Sequence, residues 1–378
     1  MMTKIMNKLI FLCVLCMAFA SCTQDNDATP QGTEGKVRLA FQVVDALQTR
    51  AETETETGWN NGWNENKIER VDVFLFYENG SLYKHIEQSV DVENATNYQT
   101  LESGLTYTEL TTGTYTYYMV ANCASLAGFS STLTELQGET IPDITCSTQQ
   151  TSFVMDGQGK LDINPTGKTA TLTFDLSRAA VKIRVSVVNT SNASIINSCA
   201  YRLFNYVETG TSVLAAQEEY GDGTNQQRES MDEDITATLV NSNKVVFYSY
   251  PNDWFDETKL EGQTGAWTIT DLMKEDPIVA DRQTYILLKA PYKDKEYYYK
   301  VPVNYATYEK NDAVSFTDDE LKEIRDLYRM KRNYIYDVTV KIDREGGPVT
   351  DPVTPAFYVL INDWIQGGDY NIGAGEFE

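Results

Sequence analysis

Thr169-Ala170-Thr171-Leu172-Thr173-Phe174-Asp175-Leu176 alternates polar with apolar residues without a break, and Val181-Lys182-Ile183-Arg184-Val185-Ser186-Val187 takes up the same rhythm shortly afterwards. Period two sends every second side chain to one face, which is how a strand reads when one side meets a core and the other meets water. Two such strands in succession make the chain all-β.

The same reading extends in both directions. Upstream, Val37, Leu39, Phe41 and Val43 alternate with Arg38, Ala40, Gln42 and Val44, and a β-branched and aromatic run from Ile68 to Tyr77 is closed by Glu78-Asn79-Gly80, a tight-turn signal. Ser81 to Ile86, Gly113 to Val120 and Thr151 to Met155 follow. Downstream come Tyr201 to Tyr206, Lys244 to Tyr250, Gln283 to Lys289, Glu296 to Val303 and Tyr334 to Ile342, and last the near-continuous apolar run Ala356 to Ile365. Short helices are expected in Ser125 to Gln137 and after the capping-box pattern Thr317-Asp318-Asp319-Glu320, which would bury Leu321, Ile324 and Leu327. At 378 residues the chain has room for roughly two domains. Asn164-Pro165-Thr166-Gly167 is the expected border, dividing residues 51–167, completed by 37–45, from residues 168–345. Residues 346–378 then read as a flexible spacer and a C-terminal strand.

Lys4 and Lys8 precede twelve apolar residues, Leu9 to Ala20, too few to span a bilayer and ordered like a secretory signal over residues 1–21. Ala20-Ser21-Cys22 resembles a lipobox, so Cys22 is the expected lipidation site and the first residue of a segment, 22–50, that carries the first strand. Residues 47–66 hold four glutamates and almost no aliphatic side chains; they are expected to be exposed, with Arg50 standing alone among them. Once the signal and Cys22 are set aside, Cys123, Cys146 and Cys199 remain, an odd number that makes no disulfide framework. Buried thiols are expected, with one Cys123–Cys146 pair as the alternative.

The formal charge of −24 repels phosphate backbones and anionic headgroups, which argues against nucleic-acid binding and basic-patch membrane binding. A single histidine, His85, rules out a multi-His metal centre. Pro165-Thr166-Gly167-Lys168-Thr169 lacks the first glycine of a phosphate loop, and Ser81-Leu82-Tyr83-Lys84 sits at a hairpin with no partner motif. Asp222-Gly223-Thr224 lacks the later ligands of a calcium loop, and Glu218-Glu219 and Asp232-Glu233-Asp234 read as solvated faces. The residues call for no catalytic group, metal or cofactor.

The remaining features suit assembly. If a protease cuts after Arg50, leaving Ala51 as the new N-terminus, the strand carrying Val37, Leu39, Phe41 and Val43 can depart and leave an apolar groove with unpaired backbone on both sides. Another subunit can fill that groove by strand addition, and head-to-tail donation propagates as a filament. The C-terminal run, with Phe357, Val359, Ile361 and Trp364, is the candidate donor strand. A plain edge strand and an ordinary final strand are the alternatives for the two segments.

The chain resembles the FimA/Mfa-type fimbrillins, lipoprotein-precursor pilus subunits of Bacteroides-type bacteria. Val71-Asp72-Val73-Phe74-Leu75-Phe76 ahead of Asn79-Gly80 is similar to the family's first core strand and turn, and Tyr117-Tyr118-Met119-Val120-Ala121-Asn122 to a later strand of the same domain. Ser152-Phe153-Val154-Met155-Asp156-Gly157 is similar to the end of that domain, and Leu176-Ser177-Arg178-Ala179-Ala180-Val181-Lys182-Ile183 to the opening of the next. Val246-Phe247-Tyr248-Ser249-Tyr250-Pro251-Asn252 and Arg332-Asn333-Tyr334-Ile335-Tyr336-Asp337-Val338 match further family strands. The resemblance implies two tandem transthyretin-like Greek-key β-sandwich domains with short helices. It also implies an outer-membrane lipoprotein precursor, an Arg-specific protease acting at Arg50, and polymerisation with other fimbrial subunits for adhesion to a surface receptor that the sequence leaves unnamed. The rivals are a fimbrial tip adhesin and a non-fimbrial surface lipoprotein that binds glycans through Trp59, Trp63 and Trp254.

Overall fold

The computed structural model describes residues 36–43, 65–93, 95, 97–148, 150, 152–163, 170–188, 198–209, 227–238, 244–256, 278–293, 295–304, 326, 328–363 and 369–370. Its strands are, in chain order, β1 (Lys36–Val43), β2 (Ile68–Tyr77), β3 (Leu82–Val92), β4 (Gln99–Thr106), β5 (Gly113–Ala121), β6 (Met155–Ile163), β7 (Thr171–Arg178), β8 (Val181–Val188), β9 (Ser198–Tyr206) and β10 (Glu229–Ser230). They continue as β11 (Ile235–Thr238), β12 (Val245–Ser249), β13 (Asn252–Asp253), β14 (Tyr285–Tyr292), β15 (Lys295–Pro302), β16 (Arg329–Met330), β17 (Tyr334–Lys341), β18 (Ala356–Asp363) and β19 (Asp369–Tyr370). The expected helix in 125–137 is one short α1 (Leu133–Gln137), whose Thr132 and Glu135 cap each other reciprocally. The helix expected after Thr317 lies outside the described residues.

The first unit is a seven-stranded path in the order β3-β2-β5-β6-β7-β1-β4. β2 is buried on both faces from Val71 to Phe76, hence its nearly continuous apolar run. Gly80 closes the β2–β3 hairpin with a φ of 80°, which a side chain would resist, and Asn79 Oδ1 accepts from the Ser81 amide. The second unit has two five-stranded sheets, one ordered β10-β9-β14-β15 with β11 beside β9, the other β12-β8-β17-β18-β19, and its core lies between them. The two units close alike: the first strand of each runs parallel to a late one, β1 beside β7 and β8 beside β17.

Two expectations need correction. Thr171 to Leu176, expected to open the second domain, pairs instead with β1, so the border moves from 164–167 to the Ala179-Ala180 link before β8. Alternation fixes which face of β7 is apolar and says nothing about which sheet owns it. The expected flexible spacer is pinned: Gly347 exchanges two hydrogen bonds with Tyr298 (3.0 and 3.1 Å), and Lys300 donates to the Val353 carbonyl (3.1 Å). These bonds satisfy the outer backbone groups of β15, which would otherwise be a bare edge.

Candidate functional site

β1 lies between β7 and the edge strand β4 of the first unit, antiparallel to β4 and parallel to β7. Val37, Leu39 and Phe41 are fully buried and Val43 nearly so, in one core with Leu105, Leu172, Phe174 and Leu176. The backbone is held on both sides. Arg38 N–H donates to the Ala170 carbonyl (3.0 Å), the buried Ser103 hydroxyl donates to the Val37 carbonyl (2.5 Å), and Val43 N–H donates to the Ala95 carbonyl (2.7 Å). On the outer face the contacts are sparse. Arg38 pairs with Glu102 in solvent, and Asp175 accepts from Gln42 (3.0 Å) and the Tyr98 hydroxyl (2.9 Å), an arrangement in which burial and Asp175 push Tyr98 up to about 12.

The described residues at the end of β1 and ahead of β2 meet at one residue. Ala95 accepts from Val43 and donates to the Asn66 carbonyl (3.3 Å), so the end of β1 and the residues just ahead of β2 are tied to the same residue. Glu65 and Asn66, the last residues of the run expected to be exposed, are held in the protein: the Glu65 carboxylate takes Lys182 Nζ (2.9 Å) and the Tyr248 hydroxyl (2.5 Å). Burial alone would push Glu65 up; Lys182, Tyr248 and Arg178 together outweigh it and leave the carboxyl below its ordinary range. The buried side chain of Arg332 reaches Asp156 of β6 and the Ser177 carbonyl, a second tie between the units.

Val37, Leu39, Phe41 and Val43 are therefore gathered where the sequence places them. Cys22, Arg50, Ala51, Trp59, Trp63 and Trp364 lie outside the described residues. In the C-terminal run, β18 pairs with β17 along its whole length, Phe357 and Val359 are buried in the second core, and Ile361 stands opposite Tyr336. Trp254 is fully buried, so it offers no sugar platform. Cys123, Cys146 and Cys199 are free buried thiols, and burial pushes Cys199 up to about 12.

Asp72, His85 and Glu87 bring three ligand atoms together, but Arg70 already stands as their cation. It donates to both Asp72 oxygens (2.7 and 2.9 Å) and pairs with Glu87 (2.9 Å), while His85 Nε2 meets Asp72 at 2.8 Å. Burial works to raise Asp72, yet the hydrogen bonds from His85 and Arg70 and the Arg70 charge overcome it and hold the carboxyl below its ordinary range.

Residues 36–178 match the family described as major fimbrial subunit protein (FimA). The matched segment begins with the first residue of β1 and ends with the last of β7. This unit is similar to that family's domain. β1 is part of the matched segment. Comparison with curated proteins finds no match. Among solved structures, the whole chain is similar to a candidate cell adhesion protein of Bacteroides eggerthii (18% identity, 90% of this chain and 99% of that one, TM-score 0.50). It is also similar to a candidate cell adhesion protein of Parabacteroides distasonis (15%, 88% and 98%, TM-score 0.53). A third likeness is to the tip fimbrial protein Mfa3 of Porphyromonas gingivalis with a C-terminal truncation (14%, 87% and 100%, TM-score 0.51). At these identities the likeness carries the all-β fold, which extends beyond the matched unit into the second one.

Proposed function

We propose that the chain is a subunit of a cell-surface fimbria, exported as a lipoprotein on Cys22, cut after Arg50 by an Arg-specific protease, and joined to its neighbours by donor-strand exchange. The observation that carries this reading is the place of β1: a strand paired on both sides, by β7 and by the edge strand β4, whose four apolar side chains fill the core, and whose end at Val43 is bonded to the same Ala95 that holds Asn66 ahead of β2. Departure of β1 exposes four side chains worth roughly 6 to 12 kcal/mol of burial as an upper bound, which rivals a domain's whole stability of ~5 to 15 kcal/mol. Another chain's strand therefore gains much by entering.

β18 is the candidate donor. It lies outside the β8–β17 pairing that closes the second unit, with only the two-residue β19 beyond it, so its departure uncovers one edge and leaves that closure in place. A second reading, a tip subunit that receives a strand and gives none, is favoured by the burial of Phe357 and Val359 in the chain's own core. Incubating the purified proform with an Arg-specific protease separates the two. A new N-terminus at Ala51 followed by denaturant-resistant ladders supports the stalk subunit; the same N-terminus without ladders supports the tip; no cut at Arg50 sinks both.

A further inference from the structure

We infer that the junction between the two units senses, through Ala95, whether a strand occupies the β1 position. The inference rests on reading β1 as a strand that leaves and is replaced.

Two routes run from β1 to the junction and meet at Arg178. The first is a chain of hydrogen bonds. Val43 N–H donates to the carbonyl of the fully buried Ala95, whose N–H donates to the Asn66 carbonyl. The Asn66 side-chain oxygen accepts from Arg178 Nη2, and Arg178 Nε donates to the Glu65 carbonyl (3.2 Å). The Glu65 carboxylate ends the chain on Lys182 of β8 and Tyr248 of β12, both in the second unit. The second route is β7 itself, the parallel neighbour of β1, of which Arg178 is the last residue. Arg178 then meets the second unit again: its N–H donates to Asn333 Oδ1 (3.2 Å) and its carbonyl accepts from Arg332 Nε (3.2 Å), while Asn333 N–H donates to the Ala180 carbonyl (2.7 Å).

Buried charges hold their places only while their partners do. When β1 goes, the Ala95 carbonyl loses Val43 and β7 loses its β1 ladder from Thr171 to Leu176, keeping only the β6 pairing at Ser177 and Arg178, so the backbone that aims Glu65 and Asn66 slackens on one side while the strand leading to Arg178 loosens on the other. Water then competes for Glu65, Arg178 and Lys182, and the hydrogen bonds that gain strength from a dry site lose it together. A strand in the groove restores both routes. A subunit is thus more compliant between its units while its groove is empty, and stiffens as it is incorporated.

The test uses the full chain with the recognition sequence of a sequence-specific protease inserted between residues 44 and 64, so that it does not depend on cleavage at Arg50. Amide exchange is followed in the uncut chain, in the cut chain stripped of its N-terminal piece, and in the stripped chain refilled with a synthetic peptide of residues 36–43. The Arg178 and Asn333 amides should exchange roughly five- to tenfold faster in the stripped chain, the scale of one lost hydrogen bond, and recover on refilling. Unchanged exchange at both amides on stripping overturns the inference. If stripping unfolds the whole chain, Asn66→Ala in the uncut chain decides: faster exchange at Arg178 and Asn333 with Leu39 and Phe41 still protected supports the relay, and unchanged junction exchange overturns it. A wild-type chain that resists cutting at Arg50 defeats the polymer reading and leaves both measurements standing.

Discussion

Phe41 and Phe174 are register partners in the parallel β1–β7 ladder, and both are sealed from solvent. Phe41 is fully buried in the first core with Leu105, Leu172 and Leu176, so its loss leaves a cavity among packed side chains. Phe41→Ala should destabilise the intact chain by ~3 to 5 kcal/mol, seen as a lower urea midpoint for the first unit. Arg38→Ala on the same strand removes only a solvent-exposed pair with Glu102 and should cost no more than ~1 kcal/mol, leaving the midpoint nearly in place. Similar effects from both changes would mean that the apolar face is not what holds β1.

Gly347 is fixed by its neighbours. A Cβ there would stand 1.9 Å from the Asp351 carbonyl oxygen, a backbone atom with little room to retreat because Asp351 N–H donates to Pro348 (3.0 Å) and the adjoining Val353 is bonded to β15. Gly347→Ala should release the 347–353 segment from β15. Exchange of the Tyr298 and Lys300 amides would rise, and the second unit would melt earlier. Gly159→Ala gives a contrast, since its Cβ would meet the far end of the Tyr117 ring, which can swing aside. If Gly347→Ala leaves both amides protected, the pinning is weaker than its geometry.

Alternation and aromatic runs were enough to find β1, β2, β7, β8, β12 and β17. β6 was harder to see. The expected strand ended at Met155, where β6 begins, because Gly157 and Gly159 break the pattern. Those glycines mark close approach: a Cβ on Gly157 would lie 2.5 Å from the Asp175 carbonyl oxygen of β7, and Gly159 lies under Tyr117. Glu65 was hidden for another reason. It ends a polar run whose composition says solvent, and its partners Lys182 and Tyr248 are distant in sequence. The residues of β1 read like any half-buried strand, and nothing in their pattern marks the strand as one that leaves.

Glu65 and Asp156 should give opposite pH signatures. Glu65 is held below its ordinary range in the fold, so it contributes stability above that range, and the contribution is lost as pH falls through the folded value. Burial pushes Asp156 up to about 6 from an ordinary 3.8, with Arg332 pulling back less strongly. Its contribution is therefore present below the ordinary value and lost as pH rises through about 6. Melting temperature against pH should show Glu65→Gln flattening the acid limb and Asp156→Asn removing the loss between about 4 and about 6, even though both variants are less stable than wild type at neutral pH. A wild-type profile without slope in the Asp156 window would show that Arg332 keeps that carboxylate ionised throughout.

Phe357 has two roles to separate, because it is buried in the second core and is also the leading anchor of the candidate donor strand. Phe357→Ala should lower the stability of the second unit by ~3 to 5 kcal/mol while the first unit melts as before. Its effect on assembly is best read in mixtures. The variant keeps its own β1 groove, so after processing it can still receive a wild-type strand, but it gives a poor one in return. Each variant chain then ends the ladder it joins, and mean ladder length on a denaturing gel should fall in proportion to the variant's share. A mixture whose ladders keep their length at every ratio would place the donor elsewhere than β18.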